Sequence, residues 1–219
     1  MIVTIDGPAG SGKSTAARGL AARLGFDFLD TGAMYRAVAV ALARRGTDPA
    51  DDLGVELALA DIHIELPPGR VFLNGEDVTA AIRTPAASQG ASKVAVVPAV
   101  RAFLAAEQRR IAAGRDMVCE GRDQGTFVFP DAAFKFFLTA DPRARAVRRQ
   151  HEQEARGERH TLEEVLAAQQ ERDARDASRD LAPMRPAADA VILDTTGLTP
   201  DEVLARLEEV VRRCPTARV

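Results

Sequence analysis

The sequence predicts an α/β fold, an open parallel sheet flanked by helices with a small antiparallel insert, and three observations carry that reading. Ile2, Val3, Thr4 and Ile5 form a β-branched run that stops at Asp6-Gly7, and a helical pattern begins after Lys13. Four more short runs, at 27–30, 117–119, 134–139 and 190–193, are separated by helix-length segments, the alternation expected of a parallel sheet. Between residues 62 and 78 the period changes to two, with turn residues between the runs. A chain of 219 residues that is 46% hydrophobic can bury the core of one domain with lobes, spanning 1–219.

Each element has a local cause. After the first strand, Ser14 to Leu24 is alanine-rich with Ala16, Leu20 and Leu24 four apart, and Gly25 stands where a helix ends. Asp27 to Asp30 reads as a second strand, and Thr31-Gly32 opens a helix to Arg45 that Gly46 closes. A short helix near Asp52 to Ala60 leads to Ile62–Leu66, a Pro67-Pro68-Gly69 turn, Val71–Leu73 and Asn74-Gly75, a hairpin signal. Thr84-Pro85 and Pro98 each start a helix, the second with Val100, Phe103, Leu104 and Ile111 on one face and Gly114 at its end. Met117 to Cys119 is a third sheet strand and Phe134 to Thr139 a fourth. Asp141-Pro142 caps an arginine-rich helix that breaks near Gly157, and Thr161 to Glu164 is a capping box opening a helix through about Ser178. Ala190 to Leu193 is the fifth strand, and Thr199 to Glu202 caps a last helix to Arg213.

Composition narrows the function classes. A formal charge of −3 argues against bulk nucleic-acid binding, which needs a basic surface. Cys119 and Cys214 are too few and too far apart for a disulfide framework, which fits a reducing compartment. The start of the chain runs straight into a strand without the charged and apolar regions of a signal peptide, so a cytoplasmic location is expected. The longest apolar run, Ala37 to Ala43, falls well short of the roughly twenty residues that span a bilayer, and no membrane partner is expected.

Gly7-Pro8-Ala9-Gly10-Ser11-Gly12-Lys13-Ser14, followed by Thr15, has the Gly-x4-Gly-Lys-Ser spacing of a phosphate-cradling loop. Its glycines let backbone N–H groups converge on an anion at a helix start. Lys13 would reach the β and γ phosphates and Ser14 would coordinate Mg²⁺. Lysine is rare in this chain, at positions 13, 93 and 135 only, so Lys13 is poorly explained as filler. The motif alone gives nucleotide binding, shared by switches, motors and kinases. Arg36, Arg101, Arg122 and the set Arg172, Arg175, Arg179 stand at strand ends or on helices of the ligand face. The last three share one helix face with Asp173 and Asp176 interleaved, a spacing that equally describes a solvated, salt-bridged helix.

Five stretches resemble bacterial cytidylate kinases: LDTGAMYR (29–36), ASKV with VPAVR (91–94 and 97–101), EGRDQGTFVFPDA (120–132), ERDARDASR (171–179) and PAADAVILDTT (186–196). The resemblance runs in order along nearly the whole chain and includes the hairpin insert. It implies a P-loop kinase core with a five-stranded parallel sheet (about 1–60, 98–141 and 180–219), a monophosphate-binding lobe at about 61–97 and a helical lid at about 142–179. It implies the use of ATP with Mg²⁺ to phosphorylate CMP and dCMP, with Lys13, Arg122 and Arg179 catalytic; a monomer is expected. Arg36, Arg122 and Arg179 would grip the acceptor phosphate with Thr31 and Tyr35 beside them, and Ser92, Arg101 and Asp123 would surround the base. Arg172 and Asp176 would lie near the sugar.

The base trio makes chemical sense, because cytosine presents an amino donor beside two acceptors, whereas uracil would set an acceptor against Asp123. UMP or another monophosphate is the alternative acceptor. A GTPase-like switch is the alternative class, against which stands the lack of an Asn-Lys-x-Asp sequence for guanine. Two positions depart from the family pattern: Glu120 stands where aspartate is usual, one methylene longer, and Gln124 where an aliphatic residue is common.

Overall fold

The computed structural model describes residues 1–213, so Cys214 lies outside the described residues. The order of elements is β1 (Ile2–Asp6), α1 (Lys13–Leu24), β2 (Asp27–Asp30), α2 (Thr31–Arg45), α3 (Asp52–Ala60), β3 (Ile64–Glu65), β4 (Phe72–Leu73), β5 (Glu76–Asp77), α4 (Pro85–Val94), α5 (Pro98–Ala112), β6 (Met117–Glu120), β7 (Phe134–Thr139), α6 (Pro142–Glu154), α7 (Leu162–Ala177), β8 (Val191–Asp194) and α8 (Pro200–Arg213). A 3₁₀ turn at Ala81–Arg83 and a π-helical turn at Gln124–Val128 have no counterpart in the sequence reading. The chain forms two compact units, one made of Met1–Phe28 with the chain from Gly114 onward, the other of Leu29–Ala113.

The main sheet has five strands in the order β2-β6-β1-β7-β8, four of them lying wholly in the first unit. All the pairings of β1 are parallel: Ile5 lies opposite Glu120 on β6 and Phe136 on β7. In this register β1 ends at Asp6 and β6 at Glu120, so the loops that leave them emerge side by side at the carboxyl edge, where parallel sheets bind ligands. Val3, Ile5, Val118, Phe136 and Leu138 are fully or almost fully buried, packed with Leu20 of α1 and Leu207 of α8. At about 25 cal/mol per Å² of apolar surface, each such side chain contributes roughly 1.5–3 kcal/mol. Buried strands flanked on both faces account for the near-continuous apolar runs of β1 and β7. β8 is one of the two edge strands, with Val191 and Ile192 exposed.

Caps fix the helices where the sequence placed them. Gly25 ends α1 in the left-handed conformation with φ 71°. Asp141 receives the Arg143 and Ala144 amides at 2.9 and 3.1 Å ahead of Pro142. Thr161 with Glu164 and Thr199 with Glu202 each form a capping box.

In the second unit α2 packs on α4, closely enough that a Cβ on Gly90 would lie 3.0 Å from the Ala39 methyl. Asp30 caps α2 by receiving the Ala33 amide at 2.8 Å. The antiparallel sheet runs β3-β4-β5, with the two-residue turn Asn74-Gly75 at φ 52° and 80°, both positive as the hairpin geometry requires. Its ladders are two residues long, shorter than the alternating runs, and one end of the first is closed by the Asn74 amide donating to the His63 carbonyl.

Candidate active site

The phosphate loop joins β1 to α1, and its backbone cannot be made from other residues. A Cβ on Gly7 would sit 2.1 Å from the Leu138 carbonyl oxygen, and one on Gly10 would sit 2.7 Å from that of Arg145. Lys13, the first residue of α1, is buried and donates from Nζ to the Pro8 carbonyl at 3.1 Å. Burial pulls its pKa down to about 7; Arg122 and Arg172 push the same way, while Glu120 and Asp176 oppose them. Ser14 donates its hydroxyl to Glu120 Oε2 at 2.7 Å, so the residue that ends β6 holds the loop serine.

Two helices grip this loop. Arg145 of α6 donates from Nη1 to the Ala9 carbonyl at 3.0 Å and to Asp173 of α7 at 2.5 Å, and from Nε to the Ala140 carbonyl at 3.1 Å. Asp173 receives the Ala9 amide at 3.4 Å, and Gln169 donates to the Arg145 carbonyl at 3.3 Å. Both ends of the Ala9 residue are thereby tied to a partly buried ion pair. On the other side, the Thr195 hydroxyl lies 3.1 Å from the carbonyl oxygens of Ser11 and Thr139 and receives Arg148 Nη1 at 3.0 Å.

Beyond β6 the chain turns through Gly121-Arg122-Asp123. Arg122 donates from Nε to Asp176 Oδ2 at 3.1 Å and from Nη1 to its neighbour's carbonyl at 3.2 Å. Arg179, just past α7, pairs with the other oxygen of Asp176. One buried carboxylate therefore aligns two guanidinium groups, a fixed fork suited to phosphate oxygens. Asp123 is buried. Asp6, at the end of β1, receives the Gln124 and Gly125 amides at 2.9 and 2.8 Å. Burial lifts the Asp6 pKa to about 7, opposed by those two bonds, with Asp123 adding to the rise and Arg122 countering it.

In the second unit, Thr31, Tyr35 and Arg36 occupy the first turns of α2, and Arg36 donates to Asp30 Oδ2 at 3.5 Å. Arg101 of α5 is 1% exposed, donates to the Ala95 carbonyl at 3.1 Å and lies with its guanidinium carbon 6.0 Å from the centre of the Tyr35 ring. Ser92 is buried on α4. A guanidinium taken fully out of water is costly unless it meets a specific partner.

Of the residues read from sequence, Lys13, Ser14, Arg122, Arg172, Asp176 and Arg179 share one charged centre, Asp123 adjoins it, and Tyr35 meets Arg101. Sequence reasoning missed Asp6, Arg145 and Asp173 as supports. The signal for Asp6 was present, an acid ending a β-branched strand. Glu120, noted as a departure, proves to be the partner of Ser14. The helix ends at Ala177, short of Arg179, so the three arginines expected on one helix face separate: Arg175 pairs outward with Glu171, while Arg179, beyond the helix, turns to Asp176. Among the described residues no helix is long and apolar enough to cross a membrane.

The chain is similar to known proteins along nearly its whole length. The family model described as cytidylate kinase matches residues 3–213. A cytidylate kinase of Rhodopirellula baltica is 47% identical over 99% of this chain and 95% of its own, and one of Solibacter usitatus is 49% identical over 100% and 94%. The crystal structure of an uncharacterized protein from Eubacterium ventriosum has the same fold, with a TM-score of 0.56 at 12% identity over 98% of this chain and 99% of that one.

Proposed function

The chain belongs to the cytidylate kinase family, and from that premise we propose which of its residues carry the transfer of the ATP γ-phosphoryl group to CMP and dCMP. The enzyme is a phosphotransferase, and ATP is its donor. Gly7, Pro8, Ala9, Gly10, Ser11, Gly12, Lys13, Ser14 and Thr15 hold the donor phosphates. The single observation behind this is the charged centre at the sheet's carboxyl edge, where Lys13 faces Glu120, Arg122, Arg172 and Asp176.

Phosphoryl transfer asks a protein for alignment and positive charge rather than covalent chemistry. Lys13 follows the charge on the γ-phosphoryl group, and binding of an anion beside it restores the proton that burial tends to remove. The Ser14 hydroxyl, with its hydrogen given to Glu120, offers the hard oxygen lone pair that suits Mg²⁺, so Ser14 would hold that ion. When bound, the ion neutralises charge on the donor phosphates.

Arg36, Arg122 and Arg179 bind the acceptor phosphate, with Thr31 and Tyr35 beside them. Ser92, Arg101 and Asp123 read the base, and Arg172 and Asp176 lie near the sugar. Asp123 accepts from the cytosine amino group; with uracil it would confront a carbonyl oxygen, which leaves a buried carboxylate unmatched. The acceptor phosphate is already ionised, so no residue serves as general base. Residues at about 142–179 act as the lid that excludes water, and those at about 61–97 as the monophosphate-binding lobe. The protein works as a cytoplasmic monomer.

ADP formation measured with CMP, dCMP, UMP and AMP in turn tests the assignment. CMP and dCMP should be preferred, and Asp123→Asn should cut the preference over UMP by at least about tenfold, or 1.4 kcal/mol. An unchanged preference in that variant would clear Asp123 of base reading.

A further inference from the structure

Asp6 is the residue from which the phosphate loop departs, yet its side chain turns to the other half of the reaction. It is 4% exposed, and its two oxygens are divided between two successive amides, Oδ1 receiving that of Gln124 at 2.9 Å and Oδ2 that of Gly125 at 2.8 Å. Those amides open the π-helical turn Gln124–Val128, whose own bonds return to the Asp123 carbonyl from Phe127 at 2.9 Å and Val128 at 3.3 Å. The turn also sits hard on β1, since a Cβ on Gly125 would lie 2.9 Å from Thr4 Oγ1. Arg122 and Asp123 are the two residues immediately before it.

A carboxylate buried without a cation bonded to it is costly, and Asp123 nearby raises that cost. Ending a strand does not require one. Holding two adjacent N–H groups at once does, because only a carboxylate offers two acceptor atoms and no donor on so short a stem. Fixing both amides fixes the direction in which the preceding two residues leave the sheet.

We propose that Asp6 is a positioning residue for the acceptor nucleotide: by receiving the Gln124 and Gly125 amides it sets the turn that aims Arg122 and Asp123, so CMP recognition depends on it while ATP binding does not. The inference rests on the assignment of Arg122 and Asp123 to CMP given above.

Asp6→Asn is nearly isosteric, keeps one acceptor and sets an amino group against the second N–H. Steady-state kinetics of the whole enzyme should show the KM for CMP raised about tenfold or more, the preference over UMP reduced, and the KM for ATP within twofold of wild type. A CMP KM within twofold of wild type, or an ATP KM raised as much as that of CMP, overturns the proposal. Asp123→Asn run in parallel separates the two levels. If it loses the base preference while Asp6→Asn does not, the inference alone falls; if it keeps the preference, the base assignment falls and the inference with it. Should Asp6→Asn fail to fold, hydrogen exchange on the wild-type enzyme decides: the Gln124 and Gly125 amides should be protected and gain at least fivefold further protection with CMP but not with ADP. Free exchange of both amides, or equal gains with either nucleotide, overturns it.

Discussion

Two faces of α7 share one charge pattern and differ in everything that burial controls. On the outer face Glu171 and Arg175 form an i,i+4 pair whose side chains are 73% and 38% exposed. On the inner face Asp176 is 3% exposed and holds Arg122 and Arg179, while Asp173 holds Arg145 against the phosphate loop. An exposed pair contributes about 0.3–0.5 kcal/mol, because water screens it and two long side chains lose rotamer freedom. Removing one partner of a buried pair costs about 3–5 kcal/mol, because a stranded charge is left in low dielectric. The inner face is thus an expensive arrangement that stability alone does not demand, and its geometry makes sense as preorganisation for anions.

The widest separation between the faces is expected in catalysis. Lys13→Ala, which removes the cation the inner face surrounds, should lower kcat by about a thousandfold or more, near 4 kcal/mol of transition-state stabilisation, with an unaltered far-UV circular dichroism spectrum. A turnover within tenfold of wild type would break the link between that face and the reaction. Next in size, Asp176→Ala should reduce unfolding stability by about 3–5 kcal/mol in denaturant titrations, and a loss below about 1 kcal/mol would mean that the pairs are as weak as surface ones.

A smaller effect concerns Asp6, which faces Asp123 and Arg122 and lies near Cys119, whose thiol pKa is pushed up by burial and by Asp6 itself. The folded-state pKa of Asp6, about 7, stands above its ordinary 3.8. Between those values the folded form holds a proton that the unfolded form has released, so the group's contribution is fully present below about pH 3.8 and is lost as pH rises through about 7. The melting temperature of wild type relative to Asp6→Asn should therefore fall as pH rises from about 4 to about 7 and level off above that. A constant difference would place the titration elsewhere. Smallest of all, Glu171→Gln on the outer face should change stability by less than about 0.5 kcal/mol and leave turnover as it was.

What the sequence showed followed from how locally each feature is determined. The caps at Asp141, Thr161 and Thr199, the Asn74-Gly75 turn and the eight-residue phosphate loop are each written within a few neighbours, and all were legible. The turn at Gln124–Val128 was not, because the residue that fixes it lies more than a hundred positions upstream. On α5 the apolar pattern named Phe103 and Ile111, which are half-buried, while Arg101 and Gln108 take fully buried places. Periodicity found the face but not the polar side chains that function puts into it. On α6 the i,i+4 spacing allows Arg148 to meet Glu152; in the structure Arg149 takes Glu152 at 3.0 Å and Arg148 reaches the Thr195 carbonyl at 2.6 Å. Spacing lists the partners a helix allows, and tertiary contacts choose among them.

Calorimetric titration of CMP into Asp176→Asn and Glu171→Gln, two isosteric removals of charge on one helix, tests the division between its faces most directly. The inner variant should bind CMP at least about tenfold more weakly than wild type and the outer one equally well. Wild-type affinity in Asp176→Asn would show that the buried carboxylate arranges nothing the acceptor uses.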